Sequence, residues 1–109
     1  MRIYIDFSVF TQAQAVGNVH GFLELEALPR QGELVSFEQP RQGVMPISVA
    51  GFPYQLAVER VIHAAHGGRL LLALADVVVG SRDDAAKLFA YLHDGFGLYA
   101  DEHDHAGKQ

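Results

Sequence analysis

The residues best suited to chemistry in this chain are its histidines and carboxylates, and they gather in two places. Near the C-terminus the run Asp101-Glu102-His103-Asp104-His105 alternates acid and imidazole. In an extended conformation Asp101, His103 and His105 point the same way, because side chains alternate along a strand. Two imidazoles and a carboxylate form a ligand set for Zn²⁺, Ni²⁺ or Cu²⁺. The segment is short and polar, and ordering it around an ion costs conformational entropy, so a solvated tail over 101–109 is the simpler expectation.

The second place is the stretch from Tyr54 to Val79. His63 and His66 are three apart, which on a strand puts them on opposite faces. The HAAH run also lacks the glutamate, spacing and helix of a zinc-protease motif. A two-residue turn at Gly67-Gly68 would pair His63 with Leu72, Val61 with Leu74 and Glu59 with Asp76. Directly opposed carboxylates repel, an arrangement that raises one pKa or holds a cation. Glu59, His63 and Asp76 are therefore a candidate polar site. A bulge near Val61-Ile62 would instead set Arg60 against Asp76 as an ion pair, and a long hairpin in a curved sheet favours that outcome.

Other chemistry is scarce. The four serines (Ser8, Ser36, Ser48, Ser81) lie in no nucleophile elbow. No glycine pattern matches a phosphate-binding loop. The chain has no cysteine, which removes disulfides, thiol catalysis and Cys-based metal sites. No catalytic constellation and no cofactor is expected. His20 opens a strand, and His93 falls in the last turn of a helix, where a cation suits the dipole; both have ordinary structural explanations. With Lys and Arg totalling 8 against 13 acids, the net charge is −5, which disfavours nucleic acid as a partner. Protonating all 6 histidines would move that charge to +1, so solubility and self-association should change where histidine titrates.

The elements that must position these residues are mostly strands. Ile3, Ile5, Phe7 and Val9 alternate with Arg2, Tyr4, Asp6 and Ser8, the period of a half-buried strand over 2–10. A loop over 11–18 leads to a second strand over 19–28. Leu28-Pro29-Arg30-Gln31-Gly32 reads as a turn, and a third strand follows at 33–38 with Val35 and Phe37 inward. Residues 39–53 form an irregular, proline-rich segment with room for a short strand at 47–50. Strands at 54–66 and 69–79 flank Gly67-Gly68 and are long enough to need a bend or bulge. Ser81 caps a helix carrying Ala85, Leu88, Phe89 and Leu92 on one stripe, with Gly95 as its terminating glycine.

This order predicts one α+β domain over 1–100, an antiparallel, partly open β-barrel or roll of five or six strands with one C-terminal helix. Leu28–Val35 followed by Tyr54–His63 resembles a pattern in short uncharacterised bacterial β-rich proteins. The resemblance implies a small barrel-like fold and carries no activity. No apolar run approaches membrane-spanning length and no leader is evident, so a cytoplasmic protein is the expectation.

Function is expected from surface rather than catalysis. Tyr4, Phe10, Phe22, Phe52, Phe96 and Tyr99 exceed what one small core needs, and exposed apolar clusters mark interfaces. The leading expectation is a non-catalytic domain that binds another protein or itself, most simply as a homodimer. A His/carboxylate metal-binding protein or metal-using enzyme is one alternative. A barrel-type small-ligand or nucleic-acid binder is the other.

Overall fold

A computed structural model describes residues 1–64 and 69–102. The strands are β1 (Arg2–Phe10), β2 (Ala15–Glu24), β3 (Leu34–Ser36), β4 (Gln55–His63), β5 (Leu70–Leu74), β6 (Val77–Val78) and β7 (Tyr99–Glu102), with helix α1 (Arg82–Phe96) between β6 and β7. They form one 7-stranded sheet in the order β3-β4-β5-β1-β2-β7, with β6 paired to β1 off this path.

The α+β class and the single helix agree with expectation, but the sheet is mixed rather than antiparallel and it is not closed. The reason lies in strand counting. Each of the first four connections reverses direction, so the fifth strand returns in the same sense as the first. When β5 docks beside β1 it must pair parallel, as Tyr4↔Leu71, Ile5↔Leu72 and Asp6↔Ala73 show. The strand expected over 69–79 is also divided in two. The offset between partners changes by one residue from Asp6↔Ala73 to Val9↔Val77, and the insertion separates β5 from β6.

The odd residues of β1 form the core side, as their alternation demands. Ile3, Ile5, Phe7 and Val9 are buried with Val19, Leu72, Leu74, Val77 and the helix residues Ala85, Leu88, Phe89 and Leu92. Twenty-odd apolar side chains each contribute roughly 1.5–3 kcal/mol on burial, which is what holds so short a chain together. An aromatic group fills one end. Phe37 lies edge-on to Phe96 at 5.2 Å, and Phe52 edge-on to Tyr54 at 4.6 Å. The irregular 39–53 segment supplies part of this core through Val49 and Phe52, and it contains no strand at 47–50. Within it Gly51 takes φ +93, and a Cβ there would lie 2.1 Å from the Val78 carbonyl oxygen, so only glycine fits that crossing.

The helix starts as its sequence dictates and ends later than expected. The Ser81 hydroxyl accepts the Asp84 N–H at 3.1 Å. Gly95 stays helical, pressed so closely by Pro40 that a Cβ would meet it at 2.8 Å. Gly97, at φ 73, terminates the helix instead, donating to the His93 carbonyl while Leu98 N–H donates to Leu92. Leu98 then returns to the core, and β7 runs antiparallel to β2 from His20↔Tyr99 to Gly17↔Glu102. β7 therefore contains Asp101 and Glu102. No helix among the described residues is long and apolar enough to cross a membrane.

Candidate functional site

Helix α1 covers one face of the sheet and leaves the other bare. The even residues of β1 and β2 meet there as Arg2↔Glu24, Tyr4↔Phe22, Asp6↔His20 and Ser8↔Asn18. Asp101 and Tyr99 of β7 join the row through Asn18 and His20. On the other flank Leu71 and Ala73 of β5 lie beside Tyr4 and Asp6, and Ile62 and Arg60 of β4 lie beside them in turn.

At the centre is a chain of three side chains. The Tyr4 hydroxyl lies 3.0 Å from His20 Nδ1, and His20 Nε2 lies 3.2 Å from Asp101 Oδ2. A carboxylate can only accept, so the hydrogen of a neutral His20 ring belongs on Nε2, leaving Nδ1 to accept from Tyr4 O–H. The Nε2–Asp101 contact has ion-pair distance but lacks hydrogen-bond alignment, and Nε2 is buried without an aligned partner. Above the tyrosine, the Arg69 guanidinium sits 3.9 Å from the ring centre, a cation on the negative face of the ring. Arg2 covers Phe22 in the same way at 4.3 Å. Tyr4, Asp6, Asn18, His20, Arg69 and Asp101, with Ile62 and Leu71, border an open concavity of about 680 Å³. Chemically this is a phenol within hydrogen-bond distance of an imidazole, a carboxylate behind the imidazole, and a guanidinium over the phenol ring. It can hold a polar group and exchange a proton with it.

The expected polar site is not assembled. Val58 pairs with Leu74 and Arg60 with Ala73, so Glu59 is the extra residue of a bulge. Beyond that bulge His63 faces Leu70, not Leu72, and Val61 faces Leu72, not Leu74. The register differs by two residues from that of a Gly67-Gly68 turn, and those glycines lie outside the described residues. Asp76 falls in the insertion between β5 and β6, two residues past Leu74, which is already level with Val58. Its Oδ1 accepts the Ser8 N–H at 3.3 Å. It thus fills a break in the β1 ladder, and the Arg60–Asp76 ion pair is not formed. Glu59, His63 and Asp76 stand apart, all exposed.

Of the expected ligand set, Asp101 is in β7 beside His20, while His103 and His105 lie outside the described residues. No group of three or more His, Asp or Glu positioned for a metal exists among the described residues. His20 is the residue that spacing could not single out. Its importance comes from a strand pairing 81 positions away with Asp101, a separation no local pattern registers. The only hint was its place opposite Asp6 once β1 and β2 form a hairpin.

Comparison with protein-family models, with curated proteins and with solved structures finds no match. The functional reading therefore rests on the bare face alone.

Proposed function

We propose that this chain is a small binding domain that pairs with a second copy of itself through the helix-free face of its sheet. The observation that carries this is the composition of that face. Phe22, Ile62 and Tyr99 are 38%, 42% and 60% exposed there, beside Tyr4 and Leu71. Arg2, Arg60 and Arg69 share the face with Asp6, Glu24 and Asp101. A patch holding apolar groups and both signs of charge is complementary to itself across a two-fold axis. The same balance disfavours a phosphate backbone, which needs a surplus of cations. The helix-free face is open to a partner across β4, β5, β1, β2 and β7.

Sedimentation over a range of concentrations tests the reading. The expected result is a dimer that Tyr99→Asp or Ile62→Asp converts to monomer with the thermal transition little changed. A strict monomer at every concentration overturns it.

A second reading is supported by the concavity itself. Tyr4, His20, Asp101 and Arg69 would hold a small anionic or hydroxyl-bearing ligand, with Arg69 countering its charge. Ligand-induced shifts confined to these four residues in a monomer would favour this reading over self-association.

A further inference from the structure

We infer that the seam between the free edges of β2 and β3 is a strand-accepting groove for an extended peptide in which apolar and basic residues alternate. The two edges border one cavity of about 320 Å³, lined by Leu23, Glu24 and Leu25 on one side, Val35 to Gln39 on the other, and Phe96.

The backbone groups aimed into this seam follow from ladder parity. In an antiparallel pair, alternate residues turn their N–H and C=O toward the partner strand. Leu25 N–H donates to the Met1 carbonyl at 2.8 Å, so the odd residues of β2 face β1. Phe22 and Glu24 therefore point the other way. β7 covers that edge only from Gly17 to His20, which leaves Phe22 and Glu24 without a backbone partner among the described residues. On β3, Val58 N–H donates to the Glu33 carbonyl and Phe37 N–H to that of Tyr54, so odd residues face β4. Leu34 and Ser36 point away from β4 into the open edge. Both margins thus present unmade main-chain bonds, which is the requirement for strand addition.

The direction of the strands fits an insertion. β2 runs against β1, β5 runs with β1, β4 against β5 and β3 against β4. The facing edges consequently run in opposite senses, and an added strand would lie antiparallel to one and parallel to the other. Side chains of an added strand alternate between the two faces of the sheet. Those turned inward meet Leu23, Val35, Phe37 and Phe96, which calls for apolar residues. Those turned outward pass Glu24 and Glu38. Glu38 is held by Ser36 Oγ and Gln55 Nε2 at 3.1 and 3.2 Å, and Glu24 already draws the Met1 ammonium to 2.7 Å. Two carboxylates on opposite margins select for Lys or Arg at those positions.

The test uses the full chain and an end-capped heptapeptide of alternating lysine and valine, followed by amide exchange and NMR shifts. Binding should slow exchange at Phe22, Glu24, Leu34 and Ser36. N-methylation of the valine amides should weaken it by about tenfold or more, because one ladder is then lost. A glutamate-valine counterpart should bind more weakly still, and Glu38→Gln should reduce the difference between the two peptides. Undetectable binding, unchanged exchange at those amides, or equal affinity of the N-methylated peptide would each overturn the proposal. So would concentration-dependent protection of the four amides without peptide, which would assign the seam to a second copy. Tyr99→Asp lies outside the seam and should leave peptide binding intact, so loss of the dimer and loss of the groove are separately visible.

Discussion

The molecule contains two aromatic groups built from the same residue types and put to opposite use. One is inside: Phe7, Phe37, Phe52, Tyr54, Tyr91 and Phe96 pack ring against ring beneath the helix. The other is outside: Tyr4, His20, Phe22 and Tyr99 pack on the bare face of the sheet, and His93 touches Tyr99 from the helix. Inside, apolar contact dominates and polar atoms are minimised. Outside, the Tyr4 hydroxyl meets His20 Nδ1 at 3.0 Å, and Tyr99 is 60% exposed. A ring's contribution is therefore set by the face it occupies and not by its identity.

The largest expected effect breaks the comparison most directly. Phe37 is 0% exposed and touches three other rings, whereas Phe22 is 38% exposed. Phe37→Ala should cost about 3–5 kcal/mol, much of the stability of a domain this size, while Phe22→Ala should cost less than about 1 kcal/mol. Denaturant midpoints of the two variants measure this. Similar losses would mean that the outer group is part of the core.

The inner group holds its own contrast in two tyrosines. Tyr91 O–H donates to the Phe37 carbonyl at 2.7 Å, but the Tyr54 hydroxyl is buried with no partner. Tyr54 also adopts φ 66, a left-handed conformation rare for an aromatic residue. Tyr91→Phe should cost roughly 1–3 kcal/mol, because it orphans a buried carbonyl. Tyr54→Phe should be neutral or stabilising, since it removes an unsatisfied hydroxyl. Thermal unfolding of the pair checks the opposite signs.

Tyr91 also gives the fold a dependence on alkaline pH. Burial, and then the neighbouring Tyr54 and Glu38, raise its pKa above the ordinary 10.0. The folded chain holds this proton more tightly than the unfolded chain does. Its contribution is therefore complete below pH 10, and stability is lost as the pH rises from there through the raised folded value. In Tyr91→Phe that share of the alkaline loss should disappear, as denaturant titrations between pH 9 and 11 would show; an unchanged slope would assign the loss to other groups.

Of the inner group, Phe7 and Phe37 were legible from sequence, whereas Phe52 and Phe96, expected to exceed the needs of the core, pack against Phe37 within it. Period-two alternation in residues 2–10 located the core side of β1, and Val35 and Phe37 were placed inward correctly. The Ser81 cap followed from residue type and spacing. What failed depended on counting across long separations. The parallel β1–β5 contact comes from an even number of reversals, four between β1 and β5, and the Glu59 bulge and the Asp76 insertion each displace a register by one residue. The Glu59–His63–Asp76 grouping assumed a two-residue turn and an unbroken ladder; a β4–β5 register two residues away from that turn's, together with the Glu59 bulge and the Asp76 insertion, dispersed it. The Tyr4–His20–Asp101 chain needs β7, whose four residues follow the helix and gain their partner only after Gly97 turns the chain back.

The smallest expected effect on stability sharpens the comparison from the outer side. Tyr4→Phe removes one half-exposed hydroxyl and should change the melting transition little, by less than about 1 kcal/mol. Its effect should appear instead in the His20 ring. With Tyr4 O–H donating to Nδ1 and Asp101 beside Nε2, the neutral ring is held as the Nε2–H form. Without the hydroxyl only Asp101 maintains that preference, through a contact that is close but poorly aligned. The ring ¹⁵N shifts of His20 should therefore move toward a mixture of the two neutral forms in Tyr4→Phe. They should move further in a double variant with Asp101→Asn, whose amide can either donate or accept. His93 supplies the internal reference, because its Nδ1 lies 3.0 Å from the Leu98 carbonyl and that bond is untouched. Unchanged His20 shifts in both variants would show that the three side chains are neighbours without being coupled, and the bare face would then offer a partner shape and charge but no shared proton.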